Sequence, residues 1–61
     1  MTSRLETKVN RLVLMVSAIR GVLYKVDVNI EGEDFEEARA NLADISNGVD
    51  DAMGLIDELM A

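Results

Sequence analysis

Residues 27–34, which read Asp-Val-Asn-Ile-Glu-Gly-Glu-Asp, decide the fold because similar apolar patterns lie on either side of them. Asn29 and Gly32 are the residue types that most readily take a left-handed backbone conformation and end a helix. Asp34 is a favourable N-cap, and the acidic residues after it suit the positive end of a helix dipole. The stretch therefore predicts a turn over residues 29–33 that joins two antiparallel helices.

The first half of the chain carries a heptad repeat of apolar residues. Ser3 and Glu6 form the S-x-x-E pattern of a capping box, which predicts the start of a helix. Apolar residues then recur at alternating steps of four and three, at position a (Val9, Val16, Leu23 and Ile30) and position d (Leu5, Leu12, Ile19 and Val26). Such spacing forms a single stripe on a helix, here predicted over residues 4–28.

The second half of the chain repeats this pattern, with Phe35, Leu42, Val49 and Ile56 at position a and Ala38, Ile45, Ala52 and Leu59 at position d. Asn47-Gly48 is a typical helix-stop signal. The apolar spacing nevertheless passes across it without losing phase. We therefore predict one continuous helix over residues 35–60, with a helix in two pieces as the alternative.

Packing the two stripes together predicts a register for the hairpin. In an antiparallel pair position a faces position d, and one register matches seven layers. These layers are Val26–Phe35, Leu23–Ala38, Ile19–Leu42, Val16–Ile45, Leu12–Val49, Val9–Ala52 and Leu5–Ile56. Residues 1–61 are thus predicted to form a single helical-hairpin domain.

More apolar residues flank the stripes than one neighbouring helix covers. At positions e and g these are Val13, Met15, Val22, Met53, Leu55 and Met60. Stripes of this width are typical of helices in bundles. The predicted fold class is therefore all-α: an antiparallel two-helix hairpin that dimerises into a four-helix bundle through these six residues.

The small size of the chain also favours self-association. A chain of 61 residues has a marginal core, and small scaffolds usually add disulfides, a metal or a second copy. The sequence has neither Cys nor His.

Residues 1–26 carry five basic residues and one acidic residue, whereas residues 27–61 carry eleven acidic residues and one basic residue. Opposite charges on the two helices favour their pairing.

The composition argues against several classes of function. Acid–base catalysis at neutral pH relies mainly on His, and nucleophilic catalysis on an activated Ser, Cys or Lys, so no enzyme and no cofactor are predicted. A net charge of −6 disfavours direct binding to nucleic acid. The longest apolar run has five residues, far fewer than the roughly 20 that span a bilayer. Without a signal-peptide pattern, the protein is predicted to be cytoplasmic, away from membranes.

The turn partly matches a calcium loop. Asp27 and Asn29 stand at its first and third positions, but Glu31 stands where such loops hold Asp or Asn. The twelfth position, which supplies a bidentate Glu, is Ala38. A solvated turn is the preferred interpretation, and no metal site is predicted.

Acidic residues mark one outer face of the second helix. They recur every seven residues at position c, as Glu37, Asp44, Asp51 and Glu58. Solvation is the commonest role of such a stripe, and docking of a basic partner is the functional alternative. We therefore predict a non-enzymatic interaction protein (a regulator, adaptor or inhibitor) that forms a homodimer and binds another protein through this acidic stripe.

A second function stays open, in which the protein binds or sequesters an anionic metabolite or nucleotide between subunits. Arg20, Lys25 and Arg39 are the residues assigned to this site. Arg20 and Arg39 both stand at position e and lie near one level of the bundle in the predicted register.

Overall fold

The computed structural model describes residues 3–61, which form the two helices α1 (Arg4–Glu31) and α2 (Phe35–Met60). The helices pack against each other as a hairpin, so the predicted all-α hairpin is confirmed. α2 runs without interruption through Asn47-Gly48, and the alternative of a helix in two pieces is therefore wrong. Residues 1 and 2 of the predicted domain lie outside the described residues.

Both helices begin at side-chain caps. The Ser3 hydroxyl accepts a hydrogen bond from the Glu6 backbone N–H at 3.0 Å. The Asp34 carboxylate accepts one from the Glu37 backbone N–H at 3.3 Å. Each bond satisfies one of the four N–H groups that a helix leaves free at its N-terminus. The two caps fix where each helix starts.

The connection between the helices is shorter than the predicted turn, because α1 continues through Glu31. Asp34 N–H donates to Asn29 C=O at 2.8 Å, and Glu33 N–H donates to Ile30 C=O at 3.0 Å. Glu33 takes the left-handed backbone conformation, with φ of 60°. Gly32 is the C-cap of α1, as its role in ending the helix predicts, but its φ of −84° shows that it is not left-handed. Asn29 lies within the helix. These bonds hold Glu33 in a conformation that costs a non-glycine residue roughly 1–2 kcal/mol.

The core lies between the helices and combines small side chains with Leu, Ile, Val and Met. Its buried members are Val26, Ala38, Ala52 and Leu55, each 4–7% exposed. Ten further residues are half-buried: Lys8, Leu12, Met15, Ile19, Val22, Asn29, Asn41, Ile45, Gly48 and Leu59. On both helices these residues occupy positions d and g. The sequence pattern placed positions a and d there, so each helix is rotated by about 60° from the predicted orientation.

The predicted register is wrong as well. Gly48 lies against Ile19, since an ideal Cβ on Gly48 would stand 3.1 Å from Ile19 Cγ1. The prediction placed Leu42 opposite Ile19. Leu23 and Phe35, which were expected to pack in adjacent layers, are 53% and 63% exposed. Positions d and g of α2 include three small residues, Ala38, Gly48 and Ala52. These let α1 approach more closely there than the a row of Phe, Leu, Val and Ile would allow.

Two polar contacts support the observed register. Near the turn, the Asn41 side-chain amide donates to Asn29 Oδ1 at 2.7 Å in a partly buried site. Near the open end, Lys8 Nζ lies 3.4 Å from Glu58 Oε1. Any shift along the helices would separate both pairs and leave partly buried asparagine groups without partners, which is costly.

The hairpin is a single layer two helices wide, with dimensions of 47 × 20 × 11 Å. A layer one helix thick has two broad faces. Within residues 3–61, no further helix or strand covers either face. The chemistry of these two faces therefore decides what the hairpin can bind.

Replacing Ala38 with Leu is expected to destabilise the hairpin by roughly 1–3 kcal/mol, because extra methylene groups strain a packed site. Ala38 is 5% exposed and lies in the core. Ala43→Leu is the matched control, since it makes the same change at an exposed position of α2. Urea denaturation followed by circular dichroism measures both variants. Equal stabilities would contradict the observed packing.

Candidate functional site

One broad face of the hairpin is apolar. With positions d and g turned inward, position a lies about 90° from the direction of the neighbouring helix. Because the helices are antiparallel, the a rows of both point to the same side of the layer. We call these eight residues, which are 39–63% exposed, the apolar face: Val9, Val16, Leu23, Ile30, Phe35, Leu42, Val49 and Ile56. Contiguous exposed apolar surface of this kind marks interaction sites in soluble proteins.

The six residues assigned to an oligomer contact are divided by the fold. Val13, Met53 and Met60, all at position e, are 58–79% exposed and border the apolar face. Met15 and Val22 are half-buried and line a groove on the opposite face. Leu55 is 4% exposed between the helices, because position g faces inward. Leu55 is therefore not on the outer surface of the hairpin, where the predicted oligomer contact would need it.

The opposite broad face carries position c of both helices, and with it the acidic stripe. Its four members, Glu37, Asp44, Asp51 and Glu58, are all exposed. Three shallow depressions follow one another between the helices on this face. Glu37 lines the one nearest the turn, Asp44 and Asp51 line the central one, and Glu58 lines the one nearest the open end.

The central depression is an apolar groove with an acidic rim. Its volume is about 190 Å³, and its lining consists of Met15, Ala18, Ile19, Val22, Asp44, Ile45, Gly48 and Asp51. Asp44 and Asp51 are two helical turns apart, or about 10 Å along the axis of α2. No basic residue belongs to this lining. We call this depression the central groove.

Basic residues of α1 lie at the two outer depressions instead. Lys25 shares the one near the turn with Glu37. Arg11 shares the one near the open end with Asp51 and Glu58. Lys8 and Glu58 form an ion pair there, and within the described part of the chain it is the one pair closer than 4.0 Å. Among these residues, no cation lies within 4.0 Å of the Asp44 or Asp51 carboxylate, although Arg11 lines the neighbouring depression together with Asp51.

The three residues assigned to an anion site are not brought together by one hairpin. Lys25 lines a depression on the acidic face. Arg20 and Arg39, at position e, lie toward the apolar face. Since Ile19 contacts Gly48, Arg20 lies opposite Asn47 of α2. Asn47 is eight residues from Arg39, so the two arginines are separated by about 12 Å along the helix axis. The observed register thus separates two cations that the predicted register placed near one level.

The calcium-like stretch is helical. Asp27, Asn29 and Glu31 belong to the last turns of α1, so their oxygens do not converge as they do in a calcium loop. Asn29 Oδ1 is already occupied by the hydrogen bond from Asn41. In residues 3–61, no cluster of three or more acidic side chains is arranged to hold a metal ion. Neither helix in that range combines the length and apolarity needed to cross a membrane.

Comparisons with models of known protein families, with curated proteins and with solved structures found no match to this chain. The functional interpretation therefore depends on the two broad faces themselves. The apolar face was missed by sequence reasoning, because the a positions were assigned to the interior of the hairpin. Two of the four residues at position g of α1 are polar, so the sequence did not indicate that this row faces inward (Lys8, Met15, Val22, Asn29). The small residues at positions d and g of α2 were a usable signal.

Gly48 lies against Ile19 in the central groove, and its substitution tests that packing. Replacing a helical Gly with Ala gains roughly 0.5–1 kcal/mol where space allows. Gly21 and Gly54 have no atom within 4 Å of an added Cβ, so Ala there is expected to stabilise the hairpin. Ala at Gly48 must displace the Ile19 side chain and should gain less or destabilise. Thermal denaturation compares the three variants, and equal gains would contradict the close approach.

Proposed function

We propose that the protein is a non-enzymatic interaction protein: a homodimer of hairpins, joined through their apolar faces into a four-helix bundle. In this role it acts as a regulator, adaptor or inhibitor and presents its acidic stripe to a second protein. The observation that carries the proposal is the apolar face, with eight a-position residues of two helices exposed on one side of the layer.

The size of the exposed surface supports a second copy as the occupant. The hairpin exposes 4957 Å². A compact monomer of 6.7 kDa is expected to expose about 3,900 Å². The excess of roughly 1,000 Å² is close to the ~800 Å² that each partner contributes to a stable interface. Pairing two hairpins would therefore give each the surface of a well-packed small domain.

The apolar face is also suited to pairing with itself. A two-fold axis brings the same patch of both subunits together, so a flat row of Val, Leu, Ile and Phe is self-complementary in chemistry. The halves of the chain differ in charge, with the basic side on α1 and the acidic side on α2. An arrangement that lays α1 over α2 of the second hairpin is favoured by this difference.

The acidic stripe would stay accessible in such a dimer. Position c lies about 70° from the interhelix direction, on the side away from position a. Pairing through the apolar face would therefore turn both stripes outward, one on each side of the bundle. Their charge suits a basic surface on a protein partner, and the lack of His and Cys in the sequence supports a role in binding.

Replacing Leu42 with Glu is expected to give a monomer, because the dimer would bury an unpaired charge in its apolar centre. Leu42 is 48% exposed in the hairpin, so the change leaves the hairpin's own core intact. Leu14→Glu is the matched control: Leu14 is 70% exposed at position f, away from the apolar face. Light scattering coupled to gel filtration measures the mass of each variant.

The native chain and the Leu14→Glu control are expected at twice the 6.7 kDa of one chain, and Leu42→Glu at one chain. A monomeric native chain at roughly 100 μM, well above the Kd of a stable interface, would overturn the dimer. Loss of the dimer in the Leu14→Glu control alone would place the interface on another surface.

A further inference from the structure

We infer that the central groove is a docking site for a basic amphipathic helix of another protein. An apolar side chain of that helix enters the groove while two Lys or Arg side chains meet Asp44 and Asp51. The inference rests on the proposed function, in which the acidic stripe faces outward, and it names the chemistry of the partner.

The groove has the size and lining to accept one large side chain. Its volume is about 190 Å³. An apolar cavity of about 150 Å³ already accepts a benzene molecule. Ile19, Val22 and Ile45 supply apolar walls, and Met15 adds a flexible side chain of the type found at adaptable binding surfaces. Leu, Met or Phe of a partner therefore fits the space.

The charges around the groove select a basic partner. Asp44 and Asp51 stand at its rim, and the α1 residues of the lining are all uncharged. Within the described residues, the ion pair closer than 4.0 Å joins Lys8 and Glu58, farther along the hairpin. Neither rim carboxylate is in an ion pair, although Arg11 lines the neighbouring depression together with Asp51, so both carboxylates can meet cations from outside.

The spacing of the two rim carboxylates predicts the spacing of the basic residues in the partner helix. Asp44 and Asp51 are seven residues apart, which is about 10 Å on a helix. A helix laid along α2 matches this distance with basic residues at i and i+7. Residues i+3 and i+4 of that helix lie between them on the same face and reach the groove. Helix-in-groove recognition commonly uses anchors at these spacings.

A second copy of this chain does not fit the groove in the same way. Arg4 and Arg11 are its one pair of basic residues seven apart. The residues midway between them are Thr7 and Lys8, which provide no apolar anchor. The groove also lies on the face opposite the apolar face, so a dimer would carry two open grooves. The occupant is therefore a helix from another protein.

A synthetic peptide tests the inference directly. The probe is a fluorescein-labelled helix of about 18 residues, long enough to be helical, with Lys at i and i+7 and Leu at i+3 and i+4. One comparison peptide carries Ala in place of both Leu, and a second carries Glu in place of both Lys. Fluorescence anisotropy measures affinity for the native protein. The Leu/Lys peptide is expected to bind, more weakly as salt is raised, and both comparison peptides to bind less tightly.

Two double variants test whether peptide binding depends on the rim of the groove or only on the overall negative charge of the protein. Asp44→Asn with Asp51→Asn is expected to weaken binding of the Leu/Lys peptide about fivefold or more, as loss of two exposed ion pairs allows. The matched control is Asp50→Asn with Asp57→Asn, which repeats the residue types, the seven-residue spacing and the charge change at heptad position b of α2 instead of position c. This control should change affinity less than about twofold. Equal losses in the two double variants would overturn the inference.

A third variant tests the shape of the groove. Ala18 is exposed and lines the groove, so Ala18→Leu fills it without changing charge. Binding of the Leu/Lys peptide should fall about fivefold or more, as when an interface anchor is lost. Ala43→Leu again serves as control. Unchanged binding by Ala18→Leu, or equal affinity for the Ala and Leu peptides, would overturn the inference.

Mass measurement on the same samples distinguishes this inference from the proposed function. If Ala18→Leu becomes monomeric while the native protein is dimeric, a second copy occupies the groove and the inference is wrong. If no variant alters peptide binding but Leu42→Glu still becomes monomeric, the groove inference fails and the proposed dimer stands. If the native chain is monomeric yet the groove variants lose binding, the dimer fails and the groove stands.

Discussion

The close approach of α1 and α2 where Ile19 meets Gly48 is the contact on which the rest of the structure depends. Small side chains on the inner edge of α2, including Ala38 and Ala52, let α1 settle against its d and g positions. This rotation removes position a from the interior of the hairpin. A larger residue in place of Gly48 would favour the a/d packing typical of coiled coils.

The rotation gives the two faces of the layer different chemistry. It turns the larger apolar side chains, among them Leu42 and Ile56, to one side, and the acidic stripe to the other. The interior combines Leu, Ile, Val and Met with small residues and with the hydrogen-bonded pair of Asn29 and Asn41. A hairpin of this kind has a thin core of its own, and its largest apolar groups remain available for a contact outside it.

The distribution of charges on the acidic face affects how a partner would be recognised. Several basic residues of α1 lie on the acidic face, where Lys8 pairs with Glu58 and Lys25 lies beside Glu37. In the middle of this face, Asp44 and Asp51 border an apolar groove whose own lining has no basic residue, while Arg11 lines the next depression with Asp51. Apolar contact combined with uncompensated charge provides both affinity and selectivity, whereas a uniformly acidic surface attracts basic partners with little discrimination.

The sequence by itself determined the two helices, the cap at Ser3 and the restart at Asp34, because heptad spacing and capping chemistry are local. It also determined which residues are apolar and where the acidic stripe lies. Only the tertiary structure decided the register, the left-handed conformation of Glu33 and the exposure of position a. A heptad stripe shows that a helix buries that face, but its periodicity is the same whether the neighbour is α2 or another molecule. Which face of α1 packs against α2 depends on the sizes of the side chains on both helices. Those sizes can be matched only when the positions of the two helices relative to each other are known.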